Sequence, residues 1–431
     1  MANQIIEPGI SKAGDLELRN VWLVDSSRST PKRYNIWAMM VELNVFEDIF
    51  SPSISGSMVL VEAFNLISGI PILGDEIIVL EYTTPTLPKE EVINKEFYIT
   101  KVGQRVSGDK KNVYELHFTS REAVLDLTTR ISRAYSGNAH DIVKNIISQE
   151  FKIKNAEVEE ADNKIKFVSA YWSPFKCINY AASRCLFPSS KIVTPNYLFY
   201  QTMKRYKLKS LSSLFKQEPF ETYYFDKNPA RDRLPDGTST RDIGKEYQRV
   251  KEMYFMASQD RIDNTLSGAL GHKVYGVNLL RKNFKEKTYQ IDKDFANTTH
   301  LDKYPIFPIN GILRNTGLLE GRLTAPELFD GIGDKADDIL AKRISLLGQL
   351  DLFKMDLVVP GRTDIEVGMV VEFNLTDSRE LDPEKDRGKL PFDPYYSGRY
   401  LITAIQHRIN QTTHEMIMQI VKESSKTEIK L

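Results

Sequence analysis

Along the first 120 residues, short runs of alternating apolar and polar side chains are each closed by a turn-forming cluster. Leu16–Val24 and Tyr34–Val45 carry β-branched and aromatic residues, and the polar break Asp25–Arg33 between them reads as a turn. Ser55–Glu62 and Ile77–Tyr82 continue the pattern, the second entered through Gly74-Asp-Glu. Glu96–Arg105 and Asn112–Phe118, joined by Ser107-Gly-Asp-Lys-Lys111, give a hairpin signal. Six short strands with turn residues between them predict a sandwich or small barrel over residues 1–120.

The period changes at Thr119-Ser120. Ser120 is placed to cap a helix running to about Ile131, with Val124, Leu125, Leu127 and Thr128 as its stripe. Ala139–Phe151 predicts a second helix with Ile142, Val143, Ile146 and Ile147 on its apolar face. A third, Pro174–Leu186, begins with Ser173 at the cap and proline at the first helical position. Tyr197–Met203 and Tyr206–Lys209 form a hairpin, and the polar run Asp226–Gly237 closes a mixed α/β unit over residues 121–235. Residues 246–262 suit a helix, Lys273–Tyr289 a strand or hairpin, and 290–335 are turn-rich. A helix at Ala336–Leu346 precedes the last strands, Leu350–Val359, Met369–Asn374, Arg399–Ile409 and Thr413–Val421. Pro360-Gly361 and Asn410-Gln411 mark tight turns, Thr376–Pro394 an exposed loop, and the chain from Lys422 onward reads as frayed. The expected division is a β unit at 1–120, the α/β unit at 121–235, and a loop-rich segment at 236–345 that completes a second barrel and an accessory domain. A second β unit at 346–423 and a tail at 424–431 follow.

The end of the chain echoes its beginning. Ile99-Thr-Lys-Val-Gly-Gln-Arg-Val106 and Ile402-Thr-Ala-Ile-Gln-His-Arg-Ile409 share the pattern Ile-Thr-x-(Val/Ile)-x-x-Arg-(Val/Ile), 303 positions apart. Each is followed by a polar turn and an alternating strand. Upstream, Gly74–Tyr82 resembles Gly368–Leu375 at an offset of 294, and a longer loop in the second copy absorbs the difference. Agreement of two segments and of their order points to a duplicated β domain. Ile77, Val79, Ile99, Thr100 and Arg105 in the first copy, and Val370, Phe373, Ile402, Thr403 and Arg408 in the second, are the candidate repeat-core or ring positions. Three such chains around a threefold axis give a ring that is chemically threefold and geometrically near sixfold, an adapter between mismatched symmetries.

Composition narrows the choice. The chain has 431 residues, 58 basic and 58 acidic, so its formal net charge is zero. A general nucleic-acid binder needs a basic excess for phosphate contacts, which is absent. No apolar run approaches the roughly 20 residues of a membrane helix, and Met1–Gly9 carries no signal-peptide pattern. Cys177 and Cys185 lie two turns apart on the expected third helix, too far to bond, and are read as reduced and buried.

Candidate chemistry is sparse. His407 and His414 flank the expected Asn410-Gln411 turn and would face each other, but a third and fourth metal ligand are missing, so they read as strand surface or interface. Asp330–Asp338 lacks calcium-loop spacing. Glu90-Glu91 and Glu159-Glu160 are acidic pairs of the kind a glycosidase uses, yet adjacent acids point apart. Lys204–Lys209, basic with Tyr206 interleaved, reads as a solvated hairpin. Met39, Met40, Val45, Phe46 and Phe50 read mostly as core. No nucleophile, phosphate-loop or dinucleotide fingerprint is present, and no catalytic residue, metal or cofactor is expected.

Four pieces together carry a resemblance: Gly74–Val79, the helix opening Tyr171–Ala182, Phe215–Phe220, and Ser397–His407. Their order resembles the central baseplate hub protein of contractile-tailed, T-even-like bacteriophages, over about residues 15–425. The resemblance implies a mainly β fold with α/β insertions: two similar tail-tube-like β-barrel domains plus a mixed α/β domain. It also implies a homotrimeric torus contacting a trimeric central spike below and a hexameric tail tube or tube initiator above. Location in the virion, assembly in the host cytoplasm, a channel through which DNA passes, and no membrane insertion go with it. The 300–345 segment and the 376–394 insertion depart from the pattern. Two alternatives stand beside this reading. One is a spike or hub component of a bacterial secretion or tailocin system, which normally carries a β-helical tip absent here. The other is a carbohydrate-degrading tail enzyme.

Overall fold

The computed structural model describes residues 12–25, 31–62, 72, 74, 76–85, 87, 91–108, 111–188, 194–226, 243–258, 262, 268–278, 282–306, 319–323, 336–376 and 392–428. In chain order the first strands are β1 (Glu17–Asp25), β2 (Lys32–Asn35), β3 (Met40–Asp48), β4 (Ser55–Glu62), β5 (Glu76–Thr83), β6 (Ile93–Ser107) and β7 (Asn112–Ser120). Then come α1 (Arg121–Thr128), β8 (Ile131–Asn138), α2 (Ala139–Glu150), β9 (Glu157–Val158), β10 (Lys164–Trp172), α3 (Pro174–Ala182), β11 (Tyr197–Gln201), β12 (Tyr206–Ser210) and α4 (Leu211–Phe215). The remainder is β13 (Thr222–Phe225), α5 (Ile243–Glu246), β14 (Glu252–Ser258), β15 (Gly271–Asn278), β16 (Asn283–Gln290), α6 (Ile291–Asp294), β17 (Tyr304–Pro305) and β18 (Leu319–Leu323). It ends in α7 (Ala336–Gly348), β19 (Phe353–Pro360), β20 (Val370–Leu375), β21 (Gly398–Ile409), β22 (His414–Val421) and β23 (Ser424–Ser425).

The fold is mainly β. Period-two patterning sets which side of each strand is buried: on β4, Gly56, Met58 and Leu60 point inward, and on β5, Ile78, Leu80 and Tyr82 do. These join Val21, Leu23, Leu43, Leu116 and Phe118 in the first core. A second core gathers Met355, Leu357, Val371, Phe373, Tyr400, Ile402, Ile405, Met418 and Ile420. The α/β region has its own: Ile142, Val143, Ile146 and Ile147 of α2 pack with Phe167, Cys177, Ile178, Phe199 and Leu208.

The barrel expected for residues 1–120 is instead part of a larger sheet. Thirteen strands are hydrogen-bonded in one sheet whose main path runs β14-β19-β22-β21-β3-β4-β7-β6-β5-β1-β2, and it stays open among the described residues. The expectation missed this because alternation gives a strand's faces but says nothing of the partner at its edge.

Several elements differ from expectation for local reasons. Tyr34–Val45 is broken by a 3-10 turn at Trp37–Met39, where the Met39 and Met40 amides both reach back to the Ile36 carbonyl. Helix α1 ends at Thr128, no residue of it is buried, and Ile131 opens β8 instead. Helix α3 ends at Ala182 and leaves Cys185 beyond it; both cysteines are free and buried. In place of a helix over residues 246–262, a short helical turn at Ile243–Glu246 ends where that region begins, and residues 252–258 form β14, pairing antiparallel with β19. The Lys273–Tyr289 segment is a hairpin. The chain after Val421 is anchored rather than frayed: Lys422 to Ser425 are buried, and β23 pairs with β17. Most of Asp226–Gly237, of the 376–394 insertion and of Asp330–Asp338 lies outside the described residues.

Candidate functional site: the seam between the two halves

The strand order β3-β4-β7-β6 recurs as β14-β19-β22-β21, every neighbouring pair antiparallel in both. Beyond it, β5 pairs antiparallel with β6 and β20 antiparallel with β21. The outermost strands differ: β1 lies antiparallel to β5, whereas β13 lies parallel to β20.

The repeated sequence sets the repeated details. Gly74 and Gly368 each stand two residues before a strand with φ of +106° and +85°, the left-handed region that glycine enters without a Cβ penalty. The Ile-Thr steps place a β-bulge at the same point of each hairpin, Ile99/Lys101 against β7 and Ile402/Ala404 against β22. At each bulge the threonine hydroxyl donates to a carbonyl across the hairpin: Thr100 Oγ1 to His117 O at 3.2 Å, Thr403 Oγ1 to Gln419 O at 3.3 Å.

The remaining candidates fall into place around this. Ile99, Val370, Phe373, Ile402 and Thr403 are buried, and Ile77 and Val79 occupy the half-buried face of β5. Thr100 and Arg408 are exposed, and the Arg408 guanidinium meets Glu415 at 3.5 Å. Arg105 sits in β6 opposite Tyr114.

The two halves join where β21 changes partner. Its first residues, 398–401, pair with β20; its later residues, 404–409, pair antiparallel with residues 43–48 of β3. On the half-exposed face of this seam, Gln406 donates to Asn44 Oδ1 at 2.9 Å and Asn44 donates to Glu42 at 2.7 Å.

On the buried side stands a polar cluster that the sequence pattern did not reveal. Residues 410–413 make the turn, so Ile409, not His407, lies opposite His414. The two imidazoles nevertheless meet diagonally, His407 Nδ1 to His414 Nε2 at 3.0 Å, and His407 Nε2 lies 3.0 Å from Glu47 Oε1. All three residues are buried, which corrects the surface reading. Burial, and then the neighbouring His407, hold the His414 pKa well below 6.5. Its Nδ1 has no hydrogen-bond partner among the described residues. Tyr82 meets the His414 ring edge-on with centroids 5.8 Å apart, and a Cβ at Gly361 would lie 2.1 Å from His414 Cγ. The signal available in the sequence was the His407/His414 pair itself; Glu47, 360 positions away, carried none.

Other candidate chemistry is engaged structurally. Lys204 pairs with Glu91, Lys207 with Glu366 at 2.5 Å, and Lys209 with Glu157 at 2.7 Å, so the basic hairpin is neutralised rather than solvated. Glu159 accepts from the hydroxyls of Ser210 and Ser213. Of the five-residue stripe, Met40 and Val45 are core, whereas Phe46 and Phe50 are exposed. Among the described residues no group of three or more His, Cys, Asp or Glu is arranged to hold a metal ion, and no helix is long and apolar enough to cross a membrane.

No protein-family model matches the chain, and no curated protein matches it in sequence. Solved structures do resemble it. The 43 kDa tail protein of prophage MuSo2 from Shewanella oneidensis aligns over 94% of this chain and 98% of its own, with TM-score 0.56 and 10% identity. A tail protein from Neisseria meningitidis MC58 aligns over 95% and 99%, with TM-score 0.52 and 10% identity. The chain therefore has a fold found in phage tail proteins.

Proposed function

We propose that the chain is a structural hub of a phage contractile-tail baseplate: three copies assemble into a pseudo-hexameric ring that adapts a sixfold tail tube to a threefold central spike. The observation that carries this reading is the four-strand block occurring twice in one chain and joined edge to edge by β21 and β3. Three chains contribute six such blocks, and a ring of them offers a near-sixfold face while the intervening segments keep threefold symmetry. In this reading residues 1–120 and 346–423 supply the two barrel-like ring domains and 121–235 the α/β domain. Residues 236–345 complete the second ring domain and add an accessory one, and 424–431 form the tail. The bulge residues Thr100 and Thr403 and the buried Ile99, Ile402, Val370 and Phe373 hold the geometry of the ring blocks.

The role is non-enzymatic. It is supported by the engagement of Glu91 with Lys204 and of Glu159 with two serines, which leaves neither acid free as a general acid or base. The ring sits in the virion baseplate after assembly in the host cytoplasm, its channel a passage for DNA. Native mass spectrometry of the purified full chain tests the stoichiometry. A three-chain species supports the reading; a strict monomer at every concentration, alone and with spike protein, contradicts it.

A further inference from the structure

The β11–β12 hairpin belongs to all three cores at once. Every residue of β11 is buried, and period-two alternation sends successive side chains to opposite sides. Tyr197 and Phe199 enter the core of the α/β region, whereas Leu198 and Tyr200 enter the second core. Met203, in the turn between the two strands, enters the first core.

The tip of the hairpin is also tied by polar bonds to both sides of the seam. On the β3 side, Gln201 Oε1 accepts from the Ile54 amide at 2.9 Å, in the connection from β3 to β4, and β11 packs against β3 itself. Lys204 pairs with Glu91, just ahead of β6. On the β21 side, Lys204 donates to the Asp364 carbonyl at 3.4 Å and Lys207 pairs with Glu366 at 2.5 Å. Both acids lie in the connection from β19 to β20, whose Gly368 amide donates to the Ile402 carbonyl of β21 at 2.9 Å. A Cβ at Gly368 would lie 2.5 Å from the Tyr200 hydroxyl, so the hairpin sits directly against that backbone. The Lys207 and Glu366 side chains are 13 and 8% exposed. A pair so far removed from water holds its geometry, because separating it strands a buried charge.

We infer that the β11–β12 hairpin is a coupling peg: it fastens the α/β region to both sides of the β21–β3 seam, so that a displacement of that region is passed to the seam and the seam loosens when the peg is released. The coupling goes beyond the function proposed above and does not depend on the number of chains in the assembly. It also gives the Lys204–Lys209 motif a role. Lys204 and Lys207 are positioning residues that hold opposite halves of the chain from one short hairpin.

The test is amide hydrogen exchange on the full-length chain. Gln201→Ala/Lys204→Met releases the tip, and methionine keeps the apolar stem of the lysine. Exchange at residues 43–48 and 404–409 should rise roughly tenfold or more, while the β8–β10 pair of the same α/β region stays as protected as in the native chain. Unchanged exchange in the seam overturns the inference. So does an equal rise in β8–β10, which is general loss of stability. The converse variant, His414→Gln, disturbs the seam from within and leaves the hairpin sequence intact. Coupling is reciprocal, so exchange at residues 197–201 and 206–210 should rise and β8–β10 should again be spared. A hairpin as protected as in the native chain overturns the inference, whether or not the first variant folds.

Discussion

At the scale of single residues, the seam depends on an imidazole kept neutral. An unfolded chain takes up a proton at His414 near pH 6.5 that the folded chain refuses, because burial and His407 hold its pKa well down. Its contribution is therefore fully present above pH 6.5 and is lost as pH falls below that value. Urea midpoints measured down to about pH 5 should fall with pH in the native chain and fall less steeply in His414→Gln; parallel slopes would remove His414 from the account. Gly361→Ala addresses the same ring by sterics. Its Cβ would sit 2.1 Å from His414 Cγ, an overpacking that should cost about 1–3 kcal/mol in the urea midpoint. Thr403→Val should cost about 1 kcal/mol through the lost bond to Gln419 O, whereas Thr100→Val, at an exposed position, should cost less.

At the scale of elements, stability comes from caps, edges and anchors. Ser173 caps α3 by accepting from the Lys176 amide, so Ser173→Ala should lower stability by about 1 kcal/mol in thermal melts. The terminal anchor is stronger. Glu423 is buried and binds the His300 ring at 2.9 Å and the Leu301 amide at 2.7 Å. Glu423→Ala strands a buried partner and should cost about 3 kcal/mol; a change within error would mean the anchor contributes nothing. Elements with long periodic patterns were readable in the sequence: α2, the β11–β12 hairpin and the final strands lie within a few residues of expectation. The misses share a cause. Residues 252–258 have no clean alternation because β14 exposes both faces, so its pattern imitates no half-buried strand. Lys422 and Glu423 look like solvent-facing tail residues, yet Lys422 is buried where it donates to the Ser397 carbonyl and Glu423 where it meets the His300 ring. The seam cluster was half readable, two histidines seven residues apart, while its carboxylate comes from the other end of the chain.

At the scale of the whole molecule, the sequence echo and the strand order agree. The matching glycines, the matching bulges and the four-strand block recur together, and the two blocks differ at the outermost strand, parallel at β13 and antiparallel at β1. One chain with two like blocks is the smallest unit from which threefold assembly can present a sixfold face. Electron-microscope imaging of the purified full-length assembly, viewed down its axis, tests that claim most directly. The account predicts a ring of three chains with six similar lobes around a central hole; three lobes, or particles with no closed ring, would contradict it.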